Sequence, residues 1–437
     1  MDLNHNKNIQ EYIREICSQV KFRDVHQDIK LELEDHIREI SEQYLTQGSS
    51  EKEAIRKAIA QMGDADIIGK QLNQVHRRKP EWSILLFSFI FINIGLLAMY
   101  FIQRQSLLTY DIHIFQNSLL FSFISLITFI CLYFFDYRKL EKYSKHIYLG
   151  ALLILAITIL YGIQLNGSRS WLILGPFSIN FVSVSPLLFI VALAGIFNKW
   201  DWNNKRKMLQ GFILSALPLI LILASPSIST GAIYAIACMV VMIVSGADLK
   251  KIILISGVSM VILMLSIITK PYQLTRLLTF LNPEADPLGG GYLKIQLSKI
   301  ISDSGIFGKG FTFNPQLIPN IHTDFVFAFI TYTFGWIASI LLIAFIVIFL
   351  IRIARIARQV KINYAKLLIS GFVSILAVQF LWNVSMNLGL VPLSAMGLPF
   401  VSYSGSQLVI NAATIGIISS IYMRKNISND YNGLKSE

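Results

Sequence analysis

Hydrophobic and polar positions are distributed very unevenly along this chain. The first 80 residues alternate charged and apolar positions with the period of an α-helix. Beyond them, one apolar run follows another almost to the C-terminus, and each is near the ~20 residues that a helix needs to cross a bilayer. The pattern predicts an all-α fold: a small N-terminal helical bundle followed by a polytopic membrane protein with about ten transmembrane helices.

The apolar runs also set the predicted boundaries. We assign residues 1–80 to a helical prefix domain, 81–425 to the transmembrane domain and 426–437 to a tail. The eighth apolar run, residues 324–351, is longer than the others, which suggests a tilted helix. The ten predicted spans cover residues 83–102, 115–135, 146–165, 181–198, 209–224, 230–246, 251–269, 324–351, 365–386 and 405–423.

Within the N-terminal part, apolar side chains form helical stripes. Ile29, Leu33 and Ile37 begin one stripe, and a second helix is predicted between Ser50 and Gly63. Together with Glu34–Ile37, Gly48, Glu53–Ala54 and Gln61–Asp64, this region resembles the permease-prefix (HAAS-type) helical domain over roughly residues 8–76. The resemblance implies a regulatory or interaction role without chemistry.

Composition and charge support a membrane protein and give it an orientation. The chain is 54% hydrophobic, 15% charged and carries a formal net charge of +12. That composition excludes an ordinary soluble domain, and the basic residues lie in short clusters between apolar runs, so we expect no nucleic-acid partner. By the positive-inside rule the clusters place both termini in the cytosol. Loops near residues 166–180, 270–323 and 387–404 then lie outside, and membrane lipids surround the spans.

Three segments in these outer loops are similar to the FtsW/RodA/SpoVE (SEDS) family of cell-division, cell-shape and sporulation proteins. They are GSRSWLILGPFS at 167–178, the segment 282–328 with SGIFGKG and IPNIHTDFVFA, and GLPFVSYSGS at 397–406. The resemblance implies a peptidoglycan glycosyltransferase that polymerises lipid II at the outer face of the cytoplasmic membrane with a class B penicillin-binding protein. It also implies that Asp324 is the essential acidic residue.

The residues themselves give Asp324 two interpretations. A carboxylate where an outer loop enters an apolar run is costly unless it is paired or functional, and it could act as the general base of glycosyl transfer. Alternatively, Thr323 or Asp324 caps the eighth span. Divalent Mg or Mn is expected as a cofactor. Candidate substrate contacts are Arg169, Trp171, Lys309, His322, Ser402 and Tyr403. For the cations and Trp171 the alternative is simple interfacial anchoring.

Several charges of the family pattern are replaced here by neutral residues. The stretch from Asn180 to Pro186 lacks the usual Glu and Lys, and Ser225-Pro226-Ser227 replaces Gln-Pro-Asp. Ser170 and Asn320 stand where a basic residue and a Glu are usual, and Tyr332-Thr333 replaces an acidic pair. These replacements keep one alternative open, a non-catalytic scaffold for a penicillin-binding protein. Ten spans with polar outer loops also permit a flippase for a lipid-linked precursor, although the spans carry almost no charge to line a path for a charged headgroup.

Overall fold

In this computed structural model the chain is described over residues 6–75, 80–105, 113–165, 168–174, 177–269, 271–312 and 318–425. Its contacts form two compact units. The first contains Met1–Pro80 with Val360–Ile362 and Tyr422–Glu437, and the second contains Glu81–Gln359 and Asn363–Ile421.

The N-terminal part of the first unit is a bundle of helices, as its hydrophobic period predicts. The helices are α1 (Lys7–Gln19), α2 (His26–Thr46), α3 (Glu51–Met62) and α4 (Ala65–Val75). Ile29, Leu33 and Ile37 of α2 are buried. Gly63 ends α3 with a φ of 101°, a conformation that favours glycine. In the same unit the Asp24 carboxylate lies 2.8 Å from Nε of Arg424, whose guanidinium is almost fully buried.

Each predicted membrane span corresponds to a helix of the second unit. The helices that match the ten spans are α5 (Trp82–Arg104), α6 (Ile114–Phe134), α8 (Ser144–Tyr161), α9 (Phe181–Phe197), α10 (Lys205–Ala224), α11 (Ile228–Val244), α12 (Leu249–Ile268), α15 (Val326–Gln359), α16 (Asn363–Asn387) and α17 (Gly405–Met423). The described residues between them also form the shorter helices α7 (Arg138–Lys142), α13 (Pro271–Leu281) and α14 (Tyr292–Asp303). Among the described residues, seven of these helices are long and apolar enough to cross a membrane, and α9 and α11 are shorter apolar helices. The all-α, polytopic membrane fold is confirmed.

The centre of the second unit is formed by α9, α11 and α16, which pack against one another and are apolar on nearly all sides. Phe189, Tyr234 and Phe372 fill this core and are fully buried. In contrast, α6 exposes most of its apolar side chains. A helix that is apolar all round and exposed is one that faces lipid rather than water.

The first outer segment was expected to be a loop, and that expectation was wrong. Three strands, β1 (Ile163–Leu165), β2 (Ser168–Leu174) and β3 (Phe177–Asn180), form an antiparallel sheet in sequence order. The motif residues Gly167, Gly175 and Pro176 lie outside the described residues. Strand pairing satisfies backbone N–H and C=O groups that a short irregular loop at a membrane boundary would leave unpaired.

The length of α15 has a different cause from the predicted tilt. The helix is interrupted at Gly335, whose φ of 81° and ψ of 178° are not helical. This interruption divides it into a short segment, 326–334, and a longer one, 336–359. Residues 326–331 of the short segment are all buried in protein. The predicted eighth span is therefore one membrane-length helix preceded by a buried half-helix.

Candidate functional site

Asp324 lies in a tight turn immediately before the buried half-helix. Asn320 opens the turn with a φ of 59°, a left-handed conformation that Asn tolerates better than most residues. Its carbonyl oxygen accepts hydrogen bonds from the N–H groups of Thr323 and Asp324 at 3.0 and 3.2 Å. Because α15 begins at Val326, neither Thr323 nor Asp324 occupies the position directly before the helix. The turn presents Asp324 at the entrance to the half-helix instead of using it as a cap.

Two buried amides of α16 hold this turn in place. The side-chain NH₂ groups of Asn383 and Asn387 donate to the Asp324 carbonyl at 3.0 and 3.2 Å. The Asn387 side-chain oxygen accepts from the Ala328 N–H at 3.3 Å, and Asn383 also donates to the Met396 carbonyl at 2.6 Å. The two asparagines thus tie the Asp324 turn, the first turn of α15 and the loop before α17 to one helix.

That loop before α17 brings two of the predicted residues, Ser402 and Tyr403, to the turn that carries His322 and Asp324. The Tyr403 N–H donates to the His322 carbonyl at 2.9 Å, and the two rings lie 5.6 Å apart. Ser402 Oγ accepts from the Leu398 N–H at 2.7 Å, so it organises the loop itself. Segments separated by about 80 residues of sequence are joined here. We refer to the Asp324 turn together with His322, Ser402 and Tyr403 as the polar cluster.

Burial sets the electrostatics of the cluster. Removal from water raises the pKa of Asp324 to about 7, while the nearby Arg276 of α13 acts in the opposite direction. Burial also lowers the pKa of His322, which favours the neutral imidazole. The Nδ1 atom of His322 has no hydrogen-bond partner among the described residues. A carboxylate with a pKa near neutrality is suited to accept a proton at physiological pH.

A small cavity adjoins the cluster between α5, α6 and the loop before α17. Gly95 of α5 and Ser118 and Ser122 of α6 line one side, and residues 400–405 line the other. A Cβ on Gly95 would lie 2.6 Å from the Val401 carbonyl oxygen, so only glycine permits this close approach. The Asn117 side-chain NH₂ donates to the Tyr403 hydroxyl at 3.3 Å. The polar turn at 402–404 therefore both lines a cavity and satisfies its own backbone.

The remaining predicted contacts lie on two other elements. Lys309 belongs to the loop after α14, and its N–H donates to the Tyr332 carbonyl of α15 at 2.8 Å, while its side chain is exposed. Arg169 and Trp171 lie on β2, where Arg169 is exposed and its carbonyl accepts from Ser225 Oγ at 2.6 Å. The sheet holds Arg169 and Trp171 on an element distinct from the Asp324 cluster.

The described side chains do not provide a ready metal site. No group of three or more His, Cys, Asp or Glu residues that could hold an ion occurs in the described part of the chain. Asp324 and His322 alone supply at most two protein ligands, fewer than a dedicated site uses. The donor set therefore does not fit a cation held by the protein alone.

Sequence reasoning missed Arg276, Asn117, Asn383 and Asn387. For the asparagines of α16 a signal existed, since two amides at i and i+4 inside an apolar span are expensive unless they bond to something. Arg276 gave no such signal, because a single cation in an outer loop is ordinary. Its importance comes from the way α13 places it near Asp324.

Comparison with known proteins follows the same boundaries. The FtsW/RodA/SpoVE model, described as cell cycle protein, matches residues 81–427. Stage V sporulation protein E of Bacillus subtilis (strain 168) is 29% identical over 278 residues, which cover 61% of this chain and 75% of that protein. The probable peptidoglycan glycosyltransferase FtsW of Coxiella burnetii is 31% identical over 282 residues, covering 61% and 74%.

Solved structures share the fold. The rod shape determining protein RodA of Thermus thermophilus superimposes with a TM-score of 0.62 at 20% identity, over 80% of this chain and 98% of that one. A chain of a peptidoglycan synthase complex gives a TM-score of 0.68 at 24% identity, over 80% and 99%. Since the family model covers the transmembrane region and more than half of the sequence, this multi-pass membrane protein belongs to the FtsW/RodA/SpoVE family.

Proposed function

We propose that this protein is a peptidoglycan glycosyltransferase that polymerises lipid II, with Asp324 as the general base. The observation that carries the proposal is the Asp324 carboxyl group, whose pKa burial raises to about 7 beside a polar cluster of His322, Ser402 and Tyr403. Names of relatives agree with it, since the Escherichia coli (strain K12) relative, 28% identical over 283 residues, is the peptidoglycan glycosyltransferase MrdB.

The reaction joins one sugar hydroxyl to the anomeric carbon of a second, lipid-linked sugar. As the new C–O bond forms, the bond from the anomeric carbon to the lipid pyrophosphate breaks and the pyrophosphate leaves with the electron pair. The hydroxyl proton must go to a base, and we assign that role to Asp324. With a pKa of about 7, about half of the carboxyl groups are ionised at neutral pH.

The other predicted contacts divide into two groups in this proposal. His322, Ser402 and Tyr403 are near enough to Asp324 to bind the reacting sugar. Arg169, Trp171 and Lys309, on other elements, would contact the pyrophosphate, the lipid or the growing glycan. We place the expected Mg or Mn ion with the substrate pyrophosphate, because the protein offers too few ligands to hold it by itself.

Orientation and partner are part of the same proposal. Arg352, Arg355 and Arg358 end the long segment of α15, at the opposite end from Asp324, so the positive-inside rule places Asp324 outside and both termini in the cytosol. The peptidoglycan synthase complex that shares this fold is concerned with polymerization and crosslinking. We propose a class B penicillin-binding protein as the cross-linking partner, and an interaction role for the N-terminal bundle.

The scaffold alternative has one observation in its favour. Ser170 and Ser225, which replace family residues of greater polarity, contact each other with their Oγ atoms 3.3 Å apart, so charge is absent from that pair. A scaffold needs the fold and the partner surface but not the base. It therefore predicts a cell-wall phenotype that survives loss of the Asp324 carboxylate.

The test is polymerisation of labelled lipid II by the full chain in vesicles, with its penicillin-binding protein supplied and with Mg²⁺, Mn²⁺ or chelator. Asp324→Asn removes the base at constant size, and Asp303→Asn, at an exposed position of α14, is the matched control. We expect glycan from wild type and Asp303→Asn and none from Asp324→Asn. No product from wild type under conditions where another family member polymerises would reject the enzyme and favour the scaffold.

A further inference from the structure

The loop after α14 fills the interruption in α15. Both partners are backbone, so the pairing resembles a short stretch of sheet. Four hydrogen bonds form it: Lys309 N–H to Tyr332 O at 2.8 Å, Gly310 N–H to Thr333 O at 3.2 Å, Trp336 N–H to Gly305 O at 3.1 Å and Ile337 N–H to Ile306 O at 3.3 Å. Groups that the broken helix would leave unsatisfied are thereby paired.

Two glycines make this approach possible. A Cβ on Gly308 would lie 2.4 Å from the Thr333 carbonyl oxygen, and a Cβ on Gly335 would lie 2.2 Å from that of Ile306. Both glycines also have positive φ, 84° and 81°. The loop and the interrupted helix are therefore in direct backbone contact, and the depth of one in the membrane fixes the depth of the other.

The position of this contact relative to the bilayer can be estimated from the exposed residues of α15. Exposed apolar side chains begin at Phe334 and recur to Ile351, after which Arg352 starts the basic cluster. The rise from Phe334 to Ile351 is about 26 Å at about 1.5 Å per residue, close to the ~30 Å thickness of the hydrocarbon core. Phe334 thus marks one boundary of the hydrocarbon, and the buried residues 326–331 lie beyond it.

The loop is positioned across this boundary with its apolar residues on the lipid side. Ile306 bonds at the level of Ile337, inside the boundary, and Ile306 and Phe307 are 63% and 82% exposed. The Lys309 backbone is hydrogen-bonded to Tyr332, which precedes Ile337 by more than one helical turn and lies on the side of the boundary away from the hydrocarbon. Lipid phosphates lie on that side. Phe311 packs on Phe101 of α5 with ring centroids 4.4 Å apart, which adds an aromatic contact of the kind common at membrane interfaces.

We propose that the loop Gly305–Gly310 is a bilayer anchor. Ile306 and Phe307 enter the acyl-chain region, and the Lys309 ammonium pairs with the phosphate of a phospholipid headgroup. The anchor holds the interruption of α15 at the membrane boundary, and through the half-helix it fixes the height of the Asp324 turn above the bilayer. This contact requires neither a lipid-linked substrate nor catalysis, so it stands whether or not the proposed glycosyltransferase activity is found.

The test measures the membrane depth of the loop in the full-length protein. With Cys17, Cys131 and Cys238 replaced by Ala, a nitroxide is attached at Phe307→Cys in vesicles of phosphatidylcholine and phosphatidylglycerol. The matched control carries the nitroxide at Asp303→Cys, an exposed position at the end of α14. Collision with oxygen and with a water-soluble nickel chelate reports the depth of each label.

We expect the label at 307 to collide with oxygen and be protected from nickel several-fold more than the label at 303. Equal nickel access at the two positions would overturn the anchor. Shielding of label 307 from both reagents would overturn it too, because the loop would then be covered by protein. A label at Ile306→Cys provides a second depth in case the first variant folds poorly.

A second arm tests the phosphate contact. Lys309→Glu should increase nickel access at position 307, whereas Lys299→Glu, an exposed cation of α14, should leave it unchanged. The vesicles contain no polyprenyl lipid, so insertion in them assigns the contact to phospholipid. Insertion that appeared only after a polyprenyl pyrophosphate was added would reject the phospholipid and assign Lys309 to the substrate. No effect of Lys309→Glu would remove the phosphate contact from the proposal.

Discussion

Replacing Arg276 with Gln should shift the pH dependence of polymerisation in a defined direction. Desolvation raises the pKa of Asp324 to about 7, and the positive charge of Arg276 lowers it from where burial alone would hold it. Without that charge the protonated carboxylic acid is favoured further, so the pKa of Asp324 rises. Because a general base must be ionised, the acidic limb of the rate profile should move to higher pH.

The size of the effect follows from the position of the pKa. With a pKa of about 7, about half of the Asp324 side chains are ionised at pH 7. An increase of one unit in the pKa of Asp324 corresponds to about 1.4 kcal/mol and would reduce the ionised fraction to roughly one eleventh, an approximately five-fold loss of rate at neutral pH. At about two pH units above the new pKa the variant should recover, since the carboxylate is then ionised again.

The assay is the initial rate of glycan formation from about pH 5 to about pH 10, a range that includes the predicted recovery. Lys299→Gln, which removes an exposed cation of α14, is the control for general loss of positive charge. An acidic limb that keeps its midpoint in Arg276→Gln, or moves to lower pH, would refute the reasoning. A rate reduced equally at all pH values would instead assign Arg276 to substrate binding.

Two further substitutions test the framework around the site. Asn387→Ala should lower the free energy of unfolding by about 1–3 kcal/mol, because it leaves the buried Ala328 N–H unpaired and removes one of the two side-chain donors to the Asp324 carbonyl; an unchanged melting temperature would contradict this. Gly335→Ala should cost about 1–3 kcal/mol for its backbone conformation alone. Gly150→Ala, in open space on α8, is its control and should cost nothing; equal melting temperatures for the two variants would contradict the role assigned to Gly335.

The membrane helices could be predicted from sequence because their signal is local. A run of about 20 apolar residues is enough to predict a span whatever it packs against. The β-sheet at 163–180 depends on pairing between separate strands, so its short segments gave no comparable pattern. The interruption at Gly335 could not be predicted for a related reason. The hydrogen bonds that pair its free backbone groups come from Gly305–Gly310, about 30 residues away in the sequence.

For the site, residue type could be predicted and proximity could not. The carboxylate of Asp324 was identified because charge at the edge of an apolar run is unusual. Its contact with the loop of Tyr403 depends on a backbone hydrogen bond between His322 and Tyr403, and no spacing in the sequence specifies it. Arg276 was missed because its effect on Asp324 arises only from the packing of α13.

Several positions at which this chain departs from the family pattern make hydrogen bonds within the protein. Ser225 donates to the Arg169 carbonyl at 2.6 Å and contacts Ser170 at 3.3 Å. Asn180 caps α9 by accepting from the Ser183 N–H at 3.1 Å. These three neutral side chains, Ser170, Ser225 and Asn180, therefore have hydrogen-bond partners within the protein, and all three lie on or next to the β-sheet.

The residues that hold the Asp324 turn differ from those at the β-sheet, because they are buried amides. Asn320 shapes its turn, and Asn383 and Asn387, both fully buried, hold its backbone with four of their hydrogen bonds directed at three different segments. Buried amides are costly to retain unless every group is bonded, and a carboxylate held at a pKa of about 7 is destabilising when ionised. A protein that served only as a membrane scaffold would be more stable with an apolar residue at position 324. The chain keeps this energetically expensive carboxylate and its buried amides, although neutral residues replace family charges both at the sheet and nearby, at Asn320 and Tyr332-Thr333. Retention of Asp324 favours altered recognition of the substrate over loss of the chemistry.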